Sequence, residues 1–139
     1  EASGYKTLGY YDVINLKNLK EVDLNKYQAI CLPSWKIDLL KDNKFDLFIN
    51  VGSFQEMEPQ LVENYLNKIS PQISKYIYLM NSKKGHSIGK KREFGVLKNT
   101  TREDYLTFLK KTFKVKAERD HEYIYGVQRD AFEIILERE

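Results

Sequence analysis

At 139 residues, with 42% hydrophobic and 31% charged content, the chain has the composition of an ordinary folded domain, which argues against disorder. No apolar run approaches the roughly 20 residues needed to cross a bilayer and Glu1 to Lys6 do not read as a signal peptide, so a cytoplasmic setting is expected. The net charge of +3 is too small to imply nucleic-acid binding by itself, while one cysteine and two histidines exclude an internal disulfide and leave little for a structural zinc site.

In chain order, Tyr10-Tyr-Asp-Val-Ile14 reads as a short strand, and Leu16, Leu19 and Leu24 punctuate the polar stretch that follows. Tyr27 to Leu32 reads as a short buried strand stopped by Pro33, with Ser34 and Trp35 in the loop beyond. Cys31, inside that segment, is expected as a buried small hydrophobe. Phe45 to Val51 has five apolar positions in seven, the pattern of a strand covered on both faces. It gives way to a polar corner holding Asn50, Gly52, Ser53, Gln55 and Glu56. Ligands of open α/β sheets collect at the carboxyl ends of strands, which makes this corner the first candidate site.

Glu58-Pro59 opens a helix, proline being tolerated early because its missing N–H would have no partner there. Leu61, Val62, Tyr65, Leu66 and Ile69 form its apolar stripe and Pro71 closes it. Lys75 to Asn81 is a second mostly apolar strand, so strand, helix and strand make a βαβ unit. Asn81 to Asn99, rich in Lys, Gly and Ser, reads as a surface loop. Within it, Lys83-Lys84-Gly-His86-Ser-Ile-Gly-Lys-Lys-Arg92 gathers five cations after a strand's carboxyl end, either to clasp an anionic acceptor or as a solvated loop. Thr100 or Thr101 caps the next helix, with Glu103 or Asp104 as the capping-box acid and Tyr105, Leu106, Phe108, Leu109 and Phe113 as its buried face. From Phe113 to Glu139 the chain reads as an antiparallel hairpin. Its first arm runs through Tyr123, Tyr125 and Val127, it turns at Arg129-Asp130, and Phe132, Ile134 and Leu136 fall in the second arm. His121, beside Asp120 and Glu122, reads as structural.

This order of elements resembles the carboxyl-terminal half of a class I S-adenosylmethionine-dependent methyltransferase: an α/β fold with a partial Rossmann-like sheet, mostly parallel, ending in an antiparallel hairpin. Phe45-Asp-Leu-Phe-Ile-Asn50, Ser53-Phe-Gln-Glu-Met57, Tyr76-Ile-Tyr-Leu-Met-Asn-Ser82 and Leu32-Pro-Ser-Trp35 resemble the sugar O-methyltransferase family of bacterial surface-polysaccharide clusters. The resemblance spans roughly Ala29 to Glu139 in one domain. It implies that Pro33, Ser34 and Trp35 receive the adenine ring of S-adenosylmethionine, and that Asn50, Gly52 and Ser53 lie where methyl donor and acceptor hydroxyl meet. Asn81, Lys83, Lys84 and His86 would then contact a sugar or glycan acceptor.

Removing a hydroxyl proton needs a base within hydrogen-bond reach, and the resemblance implies Gln55 and Glu56 there. Glu56 suits the task if burial raises its pKa; its plainer reading is a carboxylate favoured by a helix N-terminus. Trp35 likewise has a plainer reading, as packing beneath the sheet.

The fold's glycine-rich cofactor turn is missing, because glycines 4, 9, 52, 85, 89, 95 and 126 include no Gly-x-Gly pair. A start at Glu1 rather than Met fits a piece of something longer that binds the cofactor weakly or not at all and is inactive alone. The strand from Phe45 would then need cover along its edge, from Tyr11 to Ile14 or from a second copy in a homodimer. The competing reading is a non-catalytic α/β module holding nucleic acid or another acidic partner through Lys83 to Arg92.

Overall fold

The computed structural model describes residues 4–85, 95–124 and 127–139, with the backbone alone at 122–124 and 127–129. The chain divides into two compact units, Glu1–Asn43 and Lys44–Glu139.

In the first unit, strands β1 (Thr7–Leu8) and β2 (Ala29–Ile30) pair in parallel, Thr7 opposite Ala29 and Leu8 opposite Ile30. The helix α1 (Tyr10–Val13) lies between them, and short 3-10 turns cover Leu19–Glu21, Leu24–Lys26 and Ser34–Leu40. Leu8, Val13, Leu19 and Leu39 form a small core of their own.

Three expectations change here. Tyr10 to Ile14 is a helical turn rather than a strand, because Asp12 Oδ2 accepts the Gly9 N–H at 3.0 Å and the Val13 N–H closes onto Gly9 O at 3.2 Å. A local cap outweighs the strand preference of its tyrosines. Of Tyr27 to Leu32, only Ala29–Ile30 is strand. Cys31 is exposed, since alternation along the extended chain turns it away from the side that packs on Leu8 and Val13.

The second unit is built on a four-stranded sheet. Its strands are β3 (Phe45–Val51), β4 (Ile73–Ser82), β5 (Phe113–Ile124) and β6 (Val127–Arg138), in the order β3-β4-β6-β5. Helix α2 (Pro59–Ile69) joins β3 to its parallel neighbour β4, and α3 (Arg102–Leu109) precedes β5. β6 runs antiparallel to both β4 and β5. Three strands therefore share a direction, but only one of the three neighbouring pairs is parallel, fewer than expected, because the returning arm of the hairpin inserts beside β4. The reversal also comes earlier than Arg129-Asp130: Ile124 already pairs with Val127, and both turn candidates lie inside β6.

One face of this sheet carries the core. Val62 and Leu66 of α2 and Tyr105 and Leu109 of α3 pack on Ile77, Leu79, Phe132, Ile134 and Leu136, all between 0 and 1% exposed. Pro59 starts α2 as expected, while Leu61 of the anticipated stripe is 50% exposed and the buried stripe is correspondingly narrow. Thr101 caps α3 with Asp104 in a capping box, and Phe113 belongs to β5 instead.

The other face is open. Phe45, Leu47, Ile49 and Val51 alternate onto it and remain 39–58% exposed, so β3 is covered on one face, not two. Both described helices of this unit pack on the opposite side, which leaves Leu47, Ile49, Tyr76, Tyr78, Lys116 and Ile135 to line a shallow apolar trough. Along its edge β3 pairs only with β4 among the described residues. The candidate cover from Tyr11 to Ile14 is helical.

Candidate functional site

β3 and β4 are parallel and adjacent, in register through Asn50 opposite Leu79 and Val51 opposite Met80. Their carboxyl ends therefore stop side by side, and Gly52 N continues the ladder by donating to Met80 O at 2.9 Å. Gly52 adopts φ +71°, a left-handed conformation that turns the chain out of the strand. A Cβ there would meet nothing within 4 Å, so the corner is roomy.

Side-chain amides brace this turn from inside. Asn50, 7% exposed, donates from Nδ2 to Ser53 Oγ at 2.6 Å, and its Oδ1 accepts from Phe54 N at 3.4 Å and from Asn81 Nδ2 at 3.1 Å. Gln55, 5% exposed, accepts the Ser82 N–H on Oε1 at 2.7 Å and donates from Nε2 to Glu56 Oε1 at 3.4 Å. Two side-chain bonds thus fasten the corner to the end of β4, beside the Gly52–Met80 backbone bond. Thr100 adds a third strut by donating to Met57 O at 2.7 Å, and Glu58 Oε1 accepts the Leu97 N–H at 3.2 Å.

Asn81 is fully buried, and its Oδ1 has no hydrogen-bond partner among the described residues. A buried amide oxygen in that state favours a donor such as a hydroxyl or a water. The Tyr105 hydroxyl, on a ring stacked against Phe54, is likewise buried without a partner, and burial pushes its pKa well up. Glu56 itself is exposed rather than buried.

The structure thus gathers Asn50, Gly52, Ser53, Gln55, Glu56, Asn81 and Ser82 at one strand-end corner. Lys83 follows directly, with its ammonium held by Asp120 Oδ2 at 2.7 Å and Asp130 Oδ1 at 3.3 Å, while Lys84 pairs with Asp130 at 3.5 Å. Among the described residues of the basic run, both lysines therefore have carboxylate partners. His86 and residues 89–92 lie outside the described residues. Pro33, Ser34 and Trp35 belong to the first unit, where Trp35 is 67% exposed rather than packed beneath a sheet, its ring edge-on to Tyr10 at 6.3 Å.

The comparisons with known proteins fit this architecture. A SAM-dependent methyltransferase from Methanosarcina mazei superposes with a TM-score of 0.57 at 14% identity, over 80% of this chain and 68% of that one. The fold is that of S-adenosylmethionine-dependent methyltransferases. Magnesium protoporphyrin IX methyltransferase from Synechocystis PCC 6803 agrees: its structure with bound SAH gives a TM-score of 0.59 at 10% identity, over 86% of this chain and 56% of that one. Its structure with bound SAM gives 0.55 at 12% identity, over 86% and 50%. The chain spans from half to about two thirds of the length of these methyltransferases. No family profile and no curated protein matches the sequence.

Sequence reasoning missed the cross-strand amide pair and a second polar cluster on the open face. There His121 Nε2 lies 2.5 Å from Glu133 Oε2, and Arg119 donates to the same oxygen. The His121 hydrogen bond, then that of Arg119, hold the Glu133 carboxyl down at about 2. The signal was available only as alternation, Arg119 and His121 two residues apart and so on the same face. Among the described residues no group of three His, Cys, Asp or Glu side chains is placed to hold a metal, and no helix is long and apolar enough to cross a membrane.

Proposed function

We propose that the chain is part of an S-adenosylmethionine-dependent O-methyltransferase whose acceptor is a sugar hydroxyl, in surface-polysaccharide biosynthesis in the cytoplasm. The observation that carries this reading is the corner at the adjacent carboxyl ends of β3 and β4, in a fold shared with methyltransferases. The corner suits part of the cofactor's needs, since Gly52 leaves open space there, but the sequence has no Gly-x-Gly turn.

S-adenosylmethionine, when bound, supplies the methyl group. Glu56 takes the proton from the acceptor hydroxyl, steadied by the Gln55 amide that β4 holds in turn. Asn50, Ser53 and Asn81 orient the acceptor, with the unpartnered Asn81 Oδ1 receiving a hydroxyl hydrogen bond. Lys83, paired with Asp120 and Asp130, and Lys84, paired with Asp130, stand at the rim of the corner.

Calorimetric titration of this chain with S-adenosylmethionine tests the cofactor side, with weak or undetectable binding expected for this stretch alone and micromolar affinity contradicting that. In a longer chain carrying the glycine turn, cofactor-dependent methylation of a glycan is expected, reduced at least tenfold in kcat by Glu56→Gln. Unchanged turnover in that variant would remove Glu56 from the role.

A further inference from the structure

Tyr105 stands on α3 with its ring fully buried, its centroid 6.4 Å from that of Phe54 and 5.6 Å from that of Phe132. A phenylalanine would fill that layer equally well, whereas the phenol brings a hydroxyl that has no partner among the described residues. Burying a hydroxyl unpaired is costly, and a buried tyrosine usually finds a hydrogen-bond partner. Asn81 raises the same question from the sheet. By alternation it shares the helix-bearing face of β4 with Ile77 and Leu79, and in the register with β6 it stands opposite Phe132. The two unpartnered groups thus flank one aromatic ring, Tyr105 from the helix above it and Asn81 from the neighbouring strand.

Hydrogen-bond direction fixes what Asn81 lacks. The Phe54 N–H can only donate, so Asn50 presents its Oδ1 there and its Nδ2 to Ser53. Asn81 must then offer Nδ2 to the same Oδ1, which leaves its own Oδ1 as an acceptor in need of a hydrogen. The Tyr105 hydroxyl is a donor in need of an acceptor, yet the two are not bonded to each other. A small molecule that accepts from one and donates to the other completes the pair, and water does both.

We propose that one internal water joins Tyr105 Oη to Asn81 Oδ1 and makes Tyr105 a positioning residue for the strand-end corner. The phenol donates to the water, the water to Asn81, Asn81 to Asn50 and Asn50 to Ser53, so the donors all point one way, from α3 to the turn. The Asn81 amide then cannot reverse without breaking a bond on each side. Its oxygen has two lone pairs, so one remains for the acceptor hydroxyl of the reading above. The inference rests on the packing of the corner and not on that reading.

Nuclear magnetic resonance of the whole chain reads the link. Magnetisation transfer from a bound water to the Asn81 side-chain amide should be present in the native chain and lost in Tyr105→Phe, which keeps the ring and its packing. Solvent exchange of the Asn81 amide protons should quicken at least about tenfold in that variant, while those of Gln55, which bonds to Ser82 instead, change less than about twofold. In denaturant unfolding, Tyr105→Phe should lower the folding constant at least about fivefold in the native background and less than about twofold beside Asn81→Ala. Persistence of the water signal in the variant, equal quickening at Asn81 and Gln55, or equal losses in the two backgrounds overturns the proposal. Neither cofactor nor acceptor enters these measurements, so their failure leaves the methyltransferase reading standing, and failure of that reading leaves this one.

Discussion

Asn81 reaches across from β4 to donate a hydrogen bond to Asn50 Oδ1 on β3, joining two strand ends that are 31 residues apart in sequence. Replacing Asn81 by alanine leaves a buried acceptor with one weak partner, the Phe54 N–H at 3.4 Å. Such a loss costs about 1–3 kcal/mol. Urea unfolding should show the midpoint fall with an unchanged slope; an unmoved midpoint would mean that the amide pair does not hold the corner.

Gly52→Ala tests the turn itself. There is space for the methyl group, so the cost comes from the left-handed backbone alone and amounts to about 1–2 kcal/mol. Gly52→Asn should recover part of it, since asparagine tolerates that conformation. Equal losses for the two variants would point to collision rather than backbone preference.

Glu133 predicts an acid-sensitive sheet. Its carboxyl is held at about 2, below the usual 4.5, so the stabilisation is fully present above pH 4.5 and disappears as pH falls towards 2. Glu133→Gln should lower stability at pH 7 and flatten the dependence between those limits. Thermal melts across that range provide the check, and parallel curves for the two proteins would refute it.

The two faces of the sheet should respond in opposite ways. Ile77 is 0% exposed beneath the helices, and Ile77→Ala is expected to cost about 2–5 kcal/mol. Ile49 is 58% exposed on the open face, and Ile49→Lys should change stability by less than about 0.5 kcal/mol while reducing association at high concentration. Paired denaturation and light scattering distinguish these effects. A large stability loss for Ile49→Lys would show that face to be covered.

Much of the second unit was legible because its signals are local. The apolar run Phe45 to Val51, the proline at the start of α2 and the Thr101–Asp104 cap each determine their own element. What pattern reasoning could not reach was which faces the helices choose: the run on β3 implies two covered faces, yet α2 and α3 pack on the same one. The first unit was less legible because its elements are only two to seven residues long. There, single hydrogen bonds such as Gly9 to Asp12 outweigh residue preference, and alternation over two paired residues is too short to predict where Cys31 points. At the corner, Asn50, Gly52, Ser53 and Gln55 stood out by contiguity, but their partners Asn81 and Ser82 are distant in sequence and only pairing brings them near.

β6 is made after every other strand of its sheet yet lies between two of them, and Arg138 within it donates to the carbonyls of Ser70 and Ile73. A ribosome that has translated β3, α2, β4, α3 and β5 has therefore released a β3–β4 pair that β5 cannot yet join. β4 must wait with Ile77 and Leu79 uncovered on one flank until residues 127–138 clear the exit tunnel. Completion of this sheet is consequently a late event, with the last strand made closing the gap between β4 and β5.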